Sequence, residues 1–299
     1  MVKWRGRRQS SNVEDRRGQS PTAMGSGAGA GAALMVARFV LGRFGIRGVM
    51  FLAVAFFGLT AMGLNPLALL SGQPQAPRQT TQTSAGNDEA FQFVGVILAE
   101  TEDTWNDIFR SNGSQYQPPR LELFSGATRS ACGSASSASG PFYCPADQKV
   151  YLDTTFFNEL SQRFGAPGDF AAAYVIAHEV GHHVQTITGT SSKVRQAQSR
   201  ARKTEQNALQ VRMELQADCY AGIWAHKADR EARILEEGDI EEGLRAAAAI
   251  GDDTLQRNAG RRVTPESFTH GSSEQRQEWF YRGYRTGDVN QCDTFNGVL

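Results

Sequence analysis

Residues 171–184 read Ala-Ala-Ala-Tyr-Val-Ile-Ala-His-Glu-Val-Gly-His-His-Val. A helix apolar on almost every side has to be buried, and it carries its few polar side chains inside with it. Those side chains are His178, Glu179, His182 and His183. His178 and His182 are four residues apart, so they share one helix face with their Cβ atoms about 6 Å apart. Two imidazoles so placed meet a single zinc ion at about 2.0–2.1 Å. Glu179 lies at a neighbouring angular position, where a carboxylate can take a proton from water beside the metal. His183 sits roughly 100° further round the helix and is expected to have a structural role.

A third protein ligand has to come from another element. Glu214 begins the segment Glu214-Leu215-Gln216-Ala217-Asp218, 36 residues after His178. His226 and His270 are alternatives, but Glu214 is the expected ligand, because Asp218 shares its helix face. There Asp218 is placed to accept a hydrogen bond from the far nitrogen of a ligand histidine, fixing its tautomer. Two histidines and one glutamate leave a coordination position open for water, and Glu179 is the expected general base. A developing oxyanion needs a further donor. His270, in Thr269-His270-Gly271-Ser272-Ser273, is the expected one, with Tyr220, Tyr281 and Tyr284 as weaker alternatives.

Charge and hydropathy divide the 299-residue chain. Formal net charge is zero, yet residues 1–50 hold nine Lys/Arg against Glu14 and Asp15, leaving an acidic remainder. Val49–Leu70 then contains 22 uncharged residues, enough for a membrane span of roughly 20. Arg38, Arg43 and Arg47 precede it, and the next charge is Arg78. The positive-inside rule puts the N-terminus in the cytoplasm and the residues beyond the span on the far side of the bacterial inner membrane. The expected organisation is a basic, Gly-rich cytoplasmic leader at 1–45, disordered over 1–33, then a signal-anchor span at 46–70 and a polar linker at 71–87. A periplasmic domain completes the chain at 88–299. A basic head leading into a span excludes nucleic acid as the partner and implicates the bilayer. Trp4 and the segment from Asn12 to Gly18 are more specific than a topology signal requires, which leaves room for a cytoplasmic partner; self-association and envelope partners are open. Cys132, Cys144, Cys219 and Cys292 all come after the span, consistent with an oxidising compartment. Cys132–Cys144 and Cys219–Cys292 are the favoured pairs of the three possible pairings.

Helical periodicity extends over residues 88–110, a short strand over Arg120–Phe124, and a second over Lys149–Leu152. Residues 132–144 read as loop. A helix is expected from Asp153 to Phe164, a buried one capped by Asp169 up to about Ile187, and others over 205–227, from Asp239, and over 273–282. The polar stretch Thr190 to Arg202 reads as a mobile flap. The fold class is α+β, mainly helical with a small sheet.

The blocks Trp4-Arg5-Gly6-Arg7-Arg8, Asn12 to Gly18, Ala173 to Gln185, Glu214 to Gly222 and Thr269 to Arg276 resemble the bacterial neutral zinc metallopeptidases. The resemblance covers nearly the whole chain. It implies a zincin-like domain with zinc held by His178, His182 and Glu214, Glu179 as base, Asp218 as orienting acid, and protein or peptide as substrate. Two other activities fit the same residues: a non-proteolytic zinc-binding envelope chaperone or scaffold, and a zinc amidase acting on cell-wall peptides.

Overall fold

The computed structural model describes residues 1–18, 88–136, 139–162 and 168–296. The expected span and linker lie outside these. Among the described residues, no helix is long and apolar enough to cross a membrane. The described residues belong to one compact unit, Met1–Gln19 with Ser84–Leu299.

A four-stranded sheet runs in the order β1 (Val13–Asp15), β2 (Arg120–Phe124), β6 (Lys149–Asp153), β5 (Phe142–Cys144). The first three strands are parallel, and β5 pairs antiparallel with β6 at the edge. The segment expected to be loop therefore holds β5, together with a small hairpin of β3 (Ala127–Ser130) and β4 (Gly133–Ser136). Its Ser- and Gly-rich composition hides strands that are held by pairing, and by the Cys132–Cys144 disulfide tying the hairpin to β5.

Helix α1 (Glu89–Ser111) starts at Asp88, whose carboxylate accepts from the Ala90 and Phe91 amides. Helix α2 (Phe156–Gln162) is shorter at its start than expected, because Asp153 turns the chain first by accepting from Thr155 N and Oγ1. The buried α3 (Asp169–Ile187) forms as its apolar run requires. Asp169 does not cap it; its carboxylate accepts instead from the Val2 amide at 3.0 Å. The expected flap is largely helix α4 (Thr190–Gln198), with Ser191 and Val194 buried. Three more helices matter to the site: α5 (Lys203–Arg230), α6 (Asp239–Ala249) and, beyond α7 (Asp252–Asn258), α8 (Ser273–Thr286).

Helices α3, α5 and α8 form the centre of the core. Phe170 of α3 stacks on Trp224 of α5 at 5.8 Å, and Tyr174 meets Phe280 of α8 edge-on at 5.3 Å. The α5–α8 crossing is backbone against backbone: a Cβ on Gly222 would fall 2.0 Å from Phe280 O, and one on Gly283 2.0 Å from Cys219 O. The Cys219–Cys292 disulfide fastens the same crossing to the C-terminal segment. Gly181 serves a close approach of α3 to α5; a Cβ there would lie 3.1 Å from Ala217 Cα.

The largest departure from expectation is at the N-terminus. Residues 1–18 are not a disordered leader. Val2 and Trp4 are buried, with Trp4 edge-on to Phe93 at 5.8 Å. Strand β1 pairs with β2 in register Val13↔Leu121. The basic side chains that resemble a topology signal meet acids of α1: Arg5 pairs with Glu89, Arg7 with Glu100, and Arg8 with Glu102 and Asp103. The Glu102 carboxylate also accepts from Ser10 Oγ at 2.5 Å and Asn12 Nδ2 at 2.8 Å. Composition alone suggests disorder for such an arm, because its compensating charges lie some 90 residues away in sequence. The specificity around Trp4 and Asn12 is met by the chain's own domain.

Replacing Trp4 with Ala opens a cavity between the arm and α1, at a cost of roughly 3–5 kcal/mol. Urea unfolding of the full chain measures it; a loss under about 0.5 kcal/mol would mean the arm does not pack in solution.

Candidate metal centre

Helix α3 delivers His178 and His182 to one face, with ring centroids 4.7 Å apart. Helix α5 brings Glu214 against them: Oε2 lies 3.3 Å from His178 Nε2 and 3.5 Å from His182 Nε2. One ligand atom from each of the three residues falls within 4.8 Å of the others. The i,i+4 spacings that suggested this face do place these side chains, and the α3–α5 packing brings the two faces together.

Each imidazole is oriented by a partner at its other nitrogen. His178 Nδ1 donates to Asp218 Oδ1 at 2.8 Å. His182 Nδ1 donates to Gln185 Oε1 at 2.9 Å, and the Gln185 amide is turned that way because its Nε2 donates to Met213 O and Gln216 Oε1. Both Nε2 atoms are thereby directed at the ligand position. Glu214 Oε1 accepts from Gln210 Nε2 at 2.9 Å, leaving Oε2 toward the histidines. Gln185 was legible in the sequence, three positions after His182 on the same helix, but its role was not inferred there.

Asp218 is fully buried. Its Oδ1 also accepts from Tyr174 Oη at 2.5 Å, and Arg276 of α8 grips both oxygens, Nε to Oδ2 at 2.8 Å and Nη2 to Oδ1 at 2.9 Å. Neither Tyr174 nor Arg276 was inferred from sequence. Arg276 lies 98 residues from His178, and no local pattern links them.

Charges among these side chains compensate one another. Burial by itself disfavours a charged imidazole, but the Asp218 charge and hydrogen bond, with Glu214, push His178 up to about 10. Burial likewise opposes a charged Asp218, yet Arg276 and His178 hold it at about 2. Glu214 is kept well below the usual carboxylate range against the cost of burial, by His182 and His178.

Glu179 is buried, lines the same cleft and has no hydrogen-bond partner among the described residues. His270 lines the cleft too and is half-exposed. Its Nδ1 lies 3.3 Å from Asp252 Oδ1, while Asp252 Oδ2 accepts from the amides of Thr269, His270 and Gly271, shaping that loop. The hydrogen bond to Asp252 raises the His270 pKa even though burial opposes it. Asp252 is a further residue that the sequence did not point to.

The remaining candidates lie elsewhere. His183 binds Tyr143 Oη through Nδ1 and donates from Nε2 to Gln117 O, the structural role expected of it. His226 Nδ1 donates to Tyr284 O. Tyr220 packs on Trp105, Tyr284 donates to Asp229, and Tyr281 is exposed; none of the three lines the cleft.

The cleft over these residues has a volume of 620 Å³. Its walls come from β5 (Phe142, Tyr143), α4 (Val194, Arg195) and the His270 loop. Two nitrogens and one carboxylate oxygen, with both rings oriented through their Nδ1 partners, form a donor set that suits zinc.

A mainly helical α+β domain thus brings two histidines and a glutamate together in a cleft, in an arrangement that could hold a metal ion. The family described as putative neutral zinc metallopeptidase matches residues 2–295, and the chain belongs to it. Zinc is accordingly the expected cofactor. The chain is 47% identical to the uncharacterized protein YpfJ of Escherichia coli K12 over 301 residues, covering 98% of this chain and 99% of that protein. It is 41% identical to the uncharacterized protein Rv2575 of Mycobacterium tuberculosis over 254 residues, covering 79% of this chain and 85% of the relative. No solved structure matches the chain significantly.

Asp218 and Glu214 favour the protonated His178 ring, pushing it up to about 10, so zinc has to compete with a proton there. Acid strengthens the competing proton, and zinc affinity falls as pH falls. Calorimetric titration in buffers of different ionisation enthalpy should show at least about one proton released per zinc, with affinity dropping roughly tenfold per pH unit below 7. Zinc uptake without proton release would contradict this arrangement.

Proposed function

We propose that the chain is a zinc-dependent endopeptidase. The observation carrying this reading is the convergence of His178, His182 and Glu214 on one point, in an open cleft that Glu179 also lines. Zinc at that point supplies Lewis acidity, which polarises a carbonyl and makes water a competent nucleophile near neutral pH. Glu179 accepts the proton of the attacking water and passes it to the leaving amine. Its freedom from hydrogen bonds among the described residues keeps it available for both transfers. The hydrogen bond to Asp252 favours the protonated His270 ring, the form able to donate to oxygen as negative charge develops.

The wall of the cleft supports a polypeptide substrate. Phe142 and Tyr143 belong to β5, the edge strand of the sheet. An edge offers unpaired backbone groups to an extended chain, and neighbouring apolar side chains such as Phe156, Val194 and Met213 offer places for its side chains.

The proposed compartment is oxidising and outside the cytoplasm, supported by the two disulfides. Attachment to a bilayer is supported by the uncharged run Val49–Leu70. A single crossing at Val49–Leu70, with the arm cytoplasmic and the domain periplasmic, would put β1 and β2 on opposite sides of the membrane. Their pairing supports placing both on the same side, so the attachment proposed here is not a single crossing of the bilayer.

Purified protein should bind about one zinc and cleave an unfolded protein, and Glu179→Gln should keep the metal while losing about 10²–10⁴-fold in rate. Unchanged cleavage by that variant would overturn the mechanism. Zinc binding with no peptide cut would favour the chaperone or scaffold, and cleavage of murein peptides alone would favour the amidase. For sidedness, a Ser11→Cys variant in intact spheroplasts should react with a membrane-impermeant maleimide; labelling only after lysis would restore the cytoplasmic N-terminus.

A further inference from the structure

We infer that Arg276 is a positioning residue for the metal centre: its guanidinium fork sets the plane of the Asp218 carboxylate and, through it, the direction in which His178 presents its ligating nitrogen. The inference rests on the zinc-site reading but not on peptide cleavage.

Arg276 is 2% exposed and lies on α8, the one helix of the central three that contributes no zinc ligand. Two parallel N–H donors hold the two oxygens of Asp218 at 2.8 and 2.9 Å. A carboxylate held by one donor can still turn about its Cβ–Cγ bond, whereas one held by a fork has its plane fixed. With the plane fixed, Oδ1 stays on the line to His178 Nδ1. The imidazole ring is rigid, so the direction at Nδ1 determines the direction at Nε2. Two further contacts brace the fork. Arg276 Nη2 reaches Tyr174 Oη at 3.2 Å, and Nη1 reaches Ile250 O at 3.4 Å. The Tyr174 hydroxyl donates to the same Oδ1 at 2.5 Å. His182, by contrast, takes its orientation from Gln185 on its own helix. The two imidazoles are thus oriented by different means, one within α3 and one from a helix that joins only when the fold closes.

A coulombic account of Arg276 makes the opposite prediction. Its Nη2 lies 3.5 Å from His178 Nδ1, so a cation there repels a bound metal ion, and removing it would tighten zinc binding. The positioning account predicts weaker binding, because Asp218 is then free to turn away from His178.

The test is zinc affinity of the full-length protein, measured at one pH by competition with a chromophoric chelator, for the parent, Arg276→Met, Arg276→Lys, Asp218→Asn and the Arg276→Met/Asp218→Asn double variant. Arg276→Met should weaken zinc binding about 10–100-fold, the range for partners that orient metal ligands. The double variant should be no weaker than Asp218→Asn alone, since Arg276 acts only through that carboxylate. Arg276→Lys keeps the charge and most of the stem but loses the fork. It should fold, as judged by circular dichroism, and bind zinc about tenfold more weakly, so the test stands even where Met at this position does not fold. Tighter or unchanged binding in Arg276→Met, parent-like binding in Arg276→Lys, or multiplicative losses in the double variant would each overturn the inference. A parent protein that binds no zinc would instead overturn the zinc-site reading.

Discussion

The buried carboxylate of Asp218 is the contact on which the centre of this molecule depends. A charge removed from water costs several kcal/mol unless its lone pairs are met. Asp218 sits on α5, and its donors come from α3 (His178 and Tyr174) and from α8 (Arg276). None of the three helices can leave without exposing a mismatched charge. Bringing the core together and bringing the metal site together are therefore one event. The glycine-mediated crossing of α5 and α8 belongs to the same event, since it joins the helices that carry Asp218 and Arg276.

The second organising relation runs through the sheet. Strand β1 is contributed by residues 13–15, held by basic side chains that find their acids on α1. It pairs with β2, β2 with β6, and β6 with β5, whose residues form a wall of the cleft. A segment that looks like a membrane-topology signal is thus structurally continuous with the site. The Cys132–Cys144 disulfide secures the far end of that series, where β5 has a partner on one side only.

The contacts among the candidate ligands themselves hold the centre together. The two histidines and the two acids, Glu214 and Asp218, hold one another as charge pairs, with His178 raised and the acids lowered. Those pairs keep the ligand atoms close together at the cost of making the metal compete with protons. A site built this way combines rigidity with pH-dependent loading, since the contacts that hold its geometry also hold the protons that zinc displaces.

Much of this was legible in the amino-acid sequence, and the reason is local periodicity. The apolar run of α3 required a buried helix, the i,i+4 spacing put His178 and His182 on one face, and the same spacing put Glu214 and Asp218 together on another. Helix α1 and strands β2 and β6 were likewise readable from pattern, and of the three cysteine pairings left open the favoured one is the one formed. Where a residue's role depends on a distant one, the sequence carried no such signal. The N-terminal arm looked disordered because its acids lie on α1; nothing local linked Arg276 or Asp252 to the site; the strand β5 looked like loop. Hydrophobic periodicity reports which face of an element is buried, but not which buried face meets which. That pairing, decided only by the tertiary structure, joined two ligand-bearing helices, one arginine from a third and a strand from the first 18 residues into a single centre.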